Sequence, residues 1–120
     1  MKLNDYQEKA ESTDKYPYAE RLTCQALGMN GEAGEVADKI KKIFRDTNVQ
    51  RDEVGKVILT DEQKQEIAKE IGDVLWYVAT LSNTIGYSLE DVAKMNLDKL
   101  ASRQKRNVIS GSGDNSRQLA

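Results

Sequence analysis

Carboxylates at helical spacing offer this chain its main route to chemistry, and two pairs differ from the rest in their surroundings. Glu32 and Glu35 sit in Gly28-Met29-Asn30-Gly31-Glu32-Ala33-Gly34-Glu35-Val36-Ala37, where small residues admit a close neighbour. Glu70 and Asp73 repeat the i,i+3 spacing in Glu70-Ile71-Gly72-Asp73-Val74, with Glu66 one turn earlier and Tyr77 one turn later on the same stripe. At about 100° per residue, Glu35 falls near 300° from Glu32, while Val36, Ile43, Ile40, Ala33, Phe44 and Ala37 span roughly 20° to 140°. The acids therefore border an apolar face. Carboxylates at such an edge cost several kcal/mol unless they are paired or bound to a cation. Two pairs on two helices can bring several oxygens to one point, a donor set that suits magnesium or manganese. The competing reading is that Lys39, Lys42 and Lys69 neutralise the acids in ordinary salt bridges.

The rest of the inventory narrows the options. With no histidine in 120 residues, serine-histidine-aspartate triads, histidine-ligated zinc or iron and a histidine general base are excluded. The lone Cys24 makes neither an intramolecular disulfide nor a multi-cysteine metal site. The usual di-iron carboxylate bundle needs a Glu-x-x-His pair and is excluded as well. Asn96, Lys99 and Arg103, at i, i+3 and i+7 beside Ala93, Leu97 and Leu100, form a polar row able to grip a polyphosphate or to serve as a solvated face. Asp5, Glu8, Glu11 and Asp14 make another acidic ladder, but its neighbours are polar and it reads as solvated surface.

The elements that must position these residues are helices. Leu3 to Ser12 predicts a short one, ending before the Tyr16-Pro17-Tyr18 turn. Ala19 to Arg45 predicts a long one with a kink at Gly28 or Gly31. Residues 46 to 59 read as a loop whose last aliphatics, Val57, Ile58 and Leu59, dock. Thr60-Asp61-Glu62-Gln63 is a capping box opening a third helix to Ile85, ended by Gly86, and Ser88 opens a fourth to about Gln104. The third helix carries Ile67, Ile71, Val74, Val78, Leu81 and Ile85 on one side and Ala68, Gly72, Leu75, Trp76 and Ala79 on another, so it is expected to be buried nearly all round. A domain this small buries few helices on both flanks alone, which points to an oligomer. The reading is all-α, a four-to-five-helix bundle completed by oligomerisation, over residues 1 to 108, with 109 to 120 a flexible tail. The net charge of -2 hides a gradient: residues 30 to 73 hold 11 acids and 8 bases, and 94 to 120 hold 6 bases and 2 acids. No apolar stretch approaches the ~20 residues of a membrane span, so a cytoplasmic protein without membrane or nucleic-acid partners is expected.

Taken together, these motifs resemble the MazG-type all-α nucleoside triphosphate pyrophosphohydrolases. That family pairs E-x-x-E with E-x-x-D on successive helices, here Glu32/Glu35 and Glu70/Asp73. Its N-x-x-K-L-x-x-R ending is similar to Asn96-Leu97-Asp98-Lys99-Leu100-Ala101-Ser102-Arg103. The likeness runs from about Tyr18 to Arg103. The 34 residues between Glu35 and Glu70 are more than usual, which makes 46 to 59 an expected insertion near the site. The chain's length is similar to that of the small, single-domain phage or bacterial members.

The resemblance implies cleavage of a (deoxy)nucleoside triphosphate between the α and β phosphates to the monophosphate and pyrophosphate, acting on the dNTP pool. It implies Mg2+, with Mn2+ as a substitute, on Glu32, Glu35, Glu70 and Asp73, and a carboxylate base, Glu32 or Glu35, with Glu66 as an outside candidate. Lys39, Asn96, Lys99 and Arg103 would hold phosphates and sugar, and Tyr77 would stack a base or close the sugar pocket. Trp76 points away, toward core or a subunit interface, and Tyr16, Tyr18 and Gln25 either line the base or pack. A homo-dimer or homo-tetramer completing the site is implied too. The alternative from another class is a non-catalytic helical interaction or regulatory module with surface carboxylates.

Overall fold

The structure is a computed structural model and describes residues 1 to 106; the expected tail lies outside the described residues. Four helices account for most of it: α1 (Leu3–Ser12), α2 (Arg21–Asp46), α3 (Asp61–Thr84) and α4 (Leu89–Lys105). No described helix is long and apolar enough to cross a membrane.

The helix ends follow local chemistry. The Thr60 hydroxyl accepts from the Gln63 N–H at 3.0 Å while Gln63 Oε1 accepts from the Thr60 N–H at 2.9 Å, closing the capping box of α3. Gly86, at φ 86°, ends α3 in the left-handed conformation that an L side chain resists. At α4 the first free N–H groups find three acceptors: Gln7 Oε1 for Leu89, Asn4 Oδ1 for Glu90 and Ser88 Oγ for Asp91. Gln7, buried on α1, also donates to the carbonyls of Ala79 and Tyr87, so one amide ties three helices together.

Several expectations need correction. α2 begins at Arg21 and not at Ala19, after a 3-10 turn at Tyr18–Glu20, and Gly28 serves a close approach to α3, described below. Residues 46 to 59 are not wholly loop: Gln50–Arg51 pairs antiparallel with Val57–Ile58. Asp52 pins that ribbon, its Oδ1 accepting from the N–H groups of Val54 and Lys56, and Gly55 supplies the positive φ of the turn. Leu59 and Val57 are half-buried, whereas Ile58 points out.

The acidic ladder at the N-terminus splits. Asp5 and Glu8 are exposed, but the Asp14 side chain is fully buried and Glu11 pairs with Arg21 at 2.6 Å. Asp14 accepts from the Tyr16 N–H at 3.0 Å and from Gln25 Nε2 at 2.7 Å, and Arg21 lies 3.9 Å away. Arg21 also donates to the carbonyls of Tyr16 and Asp14 and stacks on the Tyr18 ring at 4.2 Å. This knot holds the start of α2 against the end of α1. Removing one partner from a buried charge network leaves the others unpaired, so Asp14→Ala should cost about 3 kcal/mol or more and lower the melting temperature by at least about 10 °C. Thermal unfolding measures it; an unchanged midpoint would return Asp14 to the solvated surface the sequence suggested.

The largest correction concerns the apolar faces. Among the described residues, the buried apolar core comprises only Ala10, Ala79 and Leu89, with Tyr6, Trp76 and Val78 packed against it. Trp76 donates its Nε1–H to Thr13 Oγ1 at 2.8 Å, consistent with a packing role. α2 and α3 pair along their polar lines: Thr84 donates to Gln25 Oε1, Tyr77 meets Gly28, and Lys39 reaches Glu66. Ala33, Ala37, Ile40 and Phe44 of α2, and Ala68, Ile71 and Leu75 of α3, therefore remain exposed. Glu32, Glu66 and Glu70 are half-buried where the two helices meet and these apolar stripes lie outside, while Val36, Ile43, Ile67 and Val74 are half-buried too.

Candidate metal centre

Glu32 on α2 and Glu70 and Asp73 on α3 converge, each offering a carboxylate oxygen within 4.8 Å of the others. Glu32 and Glu70 are half-buried, and Asp73 is exposed at the mouth. Glu35, one turn along α2, is exposed and stands outside this trio. Its charge still reaches the centre. Burial first, then the charges of Asp73, Glu70 and Glu35, push the Glu32 carboxyl above the usual carboxylate range.

The lysines that the salt-bridge reading assigned to these acids go elsewhere. Lys39 lies 3.5 Å from Glu66 Oε2, and Lys69 lies 3.6 Å from Glu66 Oε1. Lys42 and Lys41 bracket Asp38 at 2.8 and 3.1 Å, holding that carboxyl down to about 2. Among the described residues, no lysine or arginine lies within ion-pairing distance of Glu32, Glu70 or Asp73. Three like charges on one point without a cationic partner are electrostatically unfavourable, and a hard divalent cation with oxygen ligands reverses the sign of every term. The donor set fits magnesium or manganese.

The other expected residues are distributed as follows. Tyr77 lies one turn beyond Asp73, its ring set against Gly28 and edge-on to Trp76, with centroids 4.9 Å apart. Its hydroxyl shares a hydrogen bond with the Tyr16 hydroxyl at 2.9 Å, which together with burial and the charges of Glu32 and Asp14 raises it to about 12. Gln25 is fully buried between Asp14 and Thr84, whereas Tyr18 is exposed. Asn96 is exposed, and Lys99 and Arg103 are half-buried. α4 packs on α1 and α3, and its backbone stays clear of α2, with no Cα of one within 8 Å of a Cα of the other. Asn96 and Lys99 line a separate cavity of about 730 Å³ with Ile85, Tyr87, Val92 and Met95. Gly28, Tyr16 and Asp14 are site supports that the sequence did not single out as such. Only Gly28 carried a usable signal, one turn before Glu32 just as Tyr77 stands one turn after Asp73.

Three carboxylates from two neighbouring helices of a mainly α-helical chain thus meet at a metal-sized gap, and the comparisons give the class of protein to which such a chain belongs. Residues 23–108 match the family model of the MazG nucleotide pyrophosphohydrolase domain. The chain belongs to that family. It is 42% identical to the Gene 37 protein of Mycobacterium phage L5 over 121 aligned positions, covering 96% of this chain and 99% of that one. It is also 39% identical to the uncharacterized protein YvdC of Bacillus subtilis (strain 168) over 74 positions, 60% of this chain and 65% of the relative. No solved structure matches significantly.

Proposed function

We propose that this chain hydrolyses (deoxy)nucleoside triphosphates between the α and β phosphates, yielding nucleoside monophosphate and pyrophosphate, and acts on the dNTP pool of the cytoplasm. The observation that carries this reading is the convergence of Glu32, Glu70 and Asp73, which among the described residues form no salt bridge. These three, with Glu35 alongside, would hold Mg2+ or Mn2+. A divalent ion supplies charge neutralisation on the phosphates and a lowered pKa for water. A carboxylate would take the proton of the attacking water, since the sequence has no histidine. Glu32 and Glu35 are the two candidates, and the division that fits is Glu32 as ligand and Glu35, outside the trio, as base. Lys39 lies along the same α2/α3 groove and would exchange Glu66 for a phosphate oxygen, with Tyr77 walling the pocket. Glu66, already shared by two lysines, is the poorer base.

Asn96, Lys99 and Arg103 would hold phosphates and sugar. Their separation from α2, and the exposed apolar stripes, support a homo-dimer or homo-tetramer in which the site is completed across subunits.

The test is incubation of the purified chain with each of the eight common nucleoside triphosphates and Mg2+, followed by separation of the phosphate products. Equal yields of monophosphate and pyrophosphate, abolished by a chelator, are expected. Orthophosphate release would replace the mechanism. No turnover of any nucleotide would favour the non-catalytic module.

A further inference from the structure

Three contacts between α2 and α3 fall on one antiparallel register: Gly28 with Tyr77, Glu32 with Asp73, and Lys39 with Glu66. Each step along α2 is matched by an equal step back along α3, so the Gly28 layer lies one turn, about 6 Å, from the carboxylate layer. At position 28 the absent side chain matters. A Cβ there would overlap Cε1, Cζ and the hydroxyl of Tyr77. The ring is not at liberty to yield, because its hydroxyl is bonded to Tyr16 at 2.9 Å and the Trp76 ring meets it edge-on. Both neighbours are anchored in turn. Tyr16 is held by Asp14 through its N–H and by Arg21 through its carbonyl, and Trp76 is held by Thr13.

We infer that the Gly28–Tyr77 contact, latched by the Tyr16 hydroxyl, is a positioning device that sets the separation of Glu32 from Glu70 and Asp73. The inference rests on the metal-site reading above, and it assigns Gly28, Tyr77 and Tyr16 a role through the carboxylates. Metal ligation tolerates distance changes of only about 0.2 Å. A methyl group inserted one turn away demands more than that of the helices, or else swings the ring and breaks the latch. Supports of this kind typically change metal affinity by 10- to 100-fold.

The experiment is titration of the full-length, metal-free chain with Mn2+, followed by calorimetry or by the loss of the free-ion electron paramagnetic resonance signal. The variants are Tyr16→Phe, Gly28→Ala and Gly28→Ala combined with Tyr77→Val, each checked by circular dichroism and melting. Gly28→Ala is expected to weaken Mn2+ binding at least about tenfold, and to lower kcat with little change in KM. Tyr16→Phe, which keeps the ring and the fold, shifts both in the same direction by less. Truncating Tyr77 makes room for the new methyl but removes the latch as well, so the double variant should recover affinity relative to Gly28→Ala only as far as the level of Tyr16→Phe. Wild-type affinity in both single variants overturns the inference and leaves the metal site standing, as does wild-type affinity in the double variant. Absence of Mn2+ binding by the wild type overturns the metal reading and this inference with it. Should Gly28→Ala not fold, Tyr16→Phe decides.

Discussion

Glu70→Gln is expected to reduce nucleotide hydrolysis about 10³-fold or more while making the metal-free protein more stable. The two effects have one cause. Glu70 is one of three carboxylates within 4.8 Å of each other, and none has a cationic partner among the described residues. In the metal-free chain it repels Glu32, and this is part of what raises the Glu32 carboxyl. A carboxyl raised on folding prefers its neutral form in the native state. Its contribution to stability is therefore complete below the ordinary carboxylate range and is lost as pH rises through the raised value. The metal-free wild type should thus lose melting temperature as pH climbs through that window, and Glu70→Gln should flatten the loss and gain a few degrees, about 2 to 5 °C, at neutral pH. Added Mg2+ reverses the order. It should stabilise the wild type by mass action and leave the variant nearly unmoved. Melting curves with chelator and with Mg2+, from pH 4 to 8, measure this alongside the product assay. An ordinary surface carboxylate would move neither quantity, and a structural salt bridge would lower stability instead of raising it.

How much of this was legible in the sequence depends on the range of the interaction that decides each feature. The caps of α3 and α4 lie within three residues of their helix starts, and Thr60, Gln63 and Ser88 behave as their spacing predicts. The stripe of Glu66, Glu70, Asp73 and Tyr77 was also legible, because helical periodicity alone puts these residues on one line. What that line faces was not. An α3 apolar on two sides can pair through either side or through the polar line between them, and only the register with Gly28, Glu32 and Lys39 selects the last. Asp14 was misread for a similar reason: its partners Arg21 and Gln25 lie across the Tyr16-Pro17-Tyr18 turn, where no periodicity carries over. Lys42 looked like a counter-charge for the carboxylate pairs, but Asp38, one turn before it, is nearer.

Charging the outer apolar stripes should break the proposed homo-oligomer without unfolding the chain. Ile40 and Phe44 on α2 are 39% and 46% exposed, and Ile71 and Leu75 on α3 are 53% and 40% exposed, although both helices carry them at the spacing of a buried face. Apolar surface of this kind, on a chain whose buried apolar core among the described residues is three side chains, is what the proposed assembly would cover. Ile40→Glu with Ile71→Glu removes two side chains, each worth about 1.5 to 3 kcal/mol when buried, and places two charges where a second copy would have to desolvate them. The dimer dissociation constant should rise by more than about 10³-fold. Sedimentation or light scattering at tens of micromolar should then give one chain mass for the variant and two or more for the wild type. The isolated chain should keep its helical circular dichroism, because neither residue is buried in it. Activity is the sharper readout. The backbones of α4 and α2 do not approach each other within one chain, and a site that takes Lys99 and Arg103 from a second copy fails with the assembly and recovers as protein concentration is raised. A monomeric wild type that turns over nucleotide at full rate would instead put the whole site within one chain and leave the apolar stripe to some other partner.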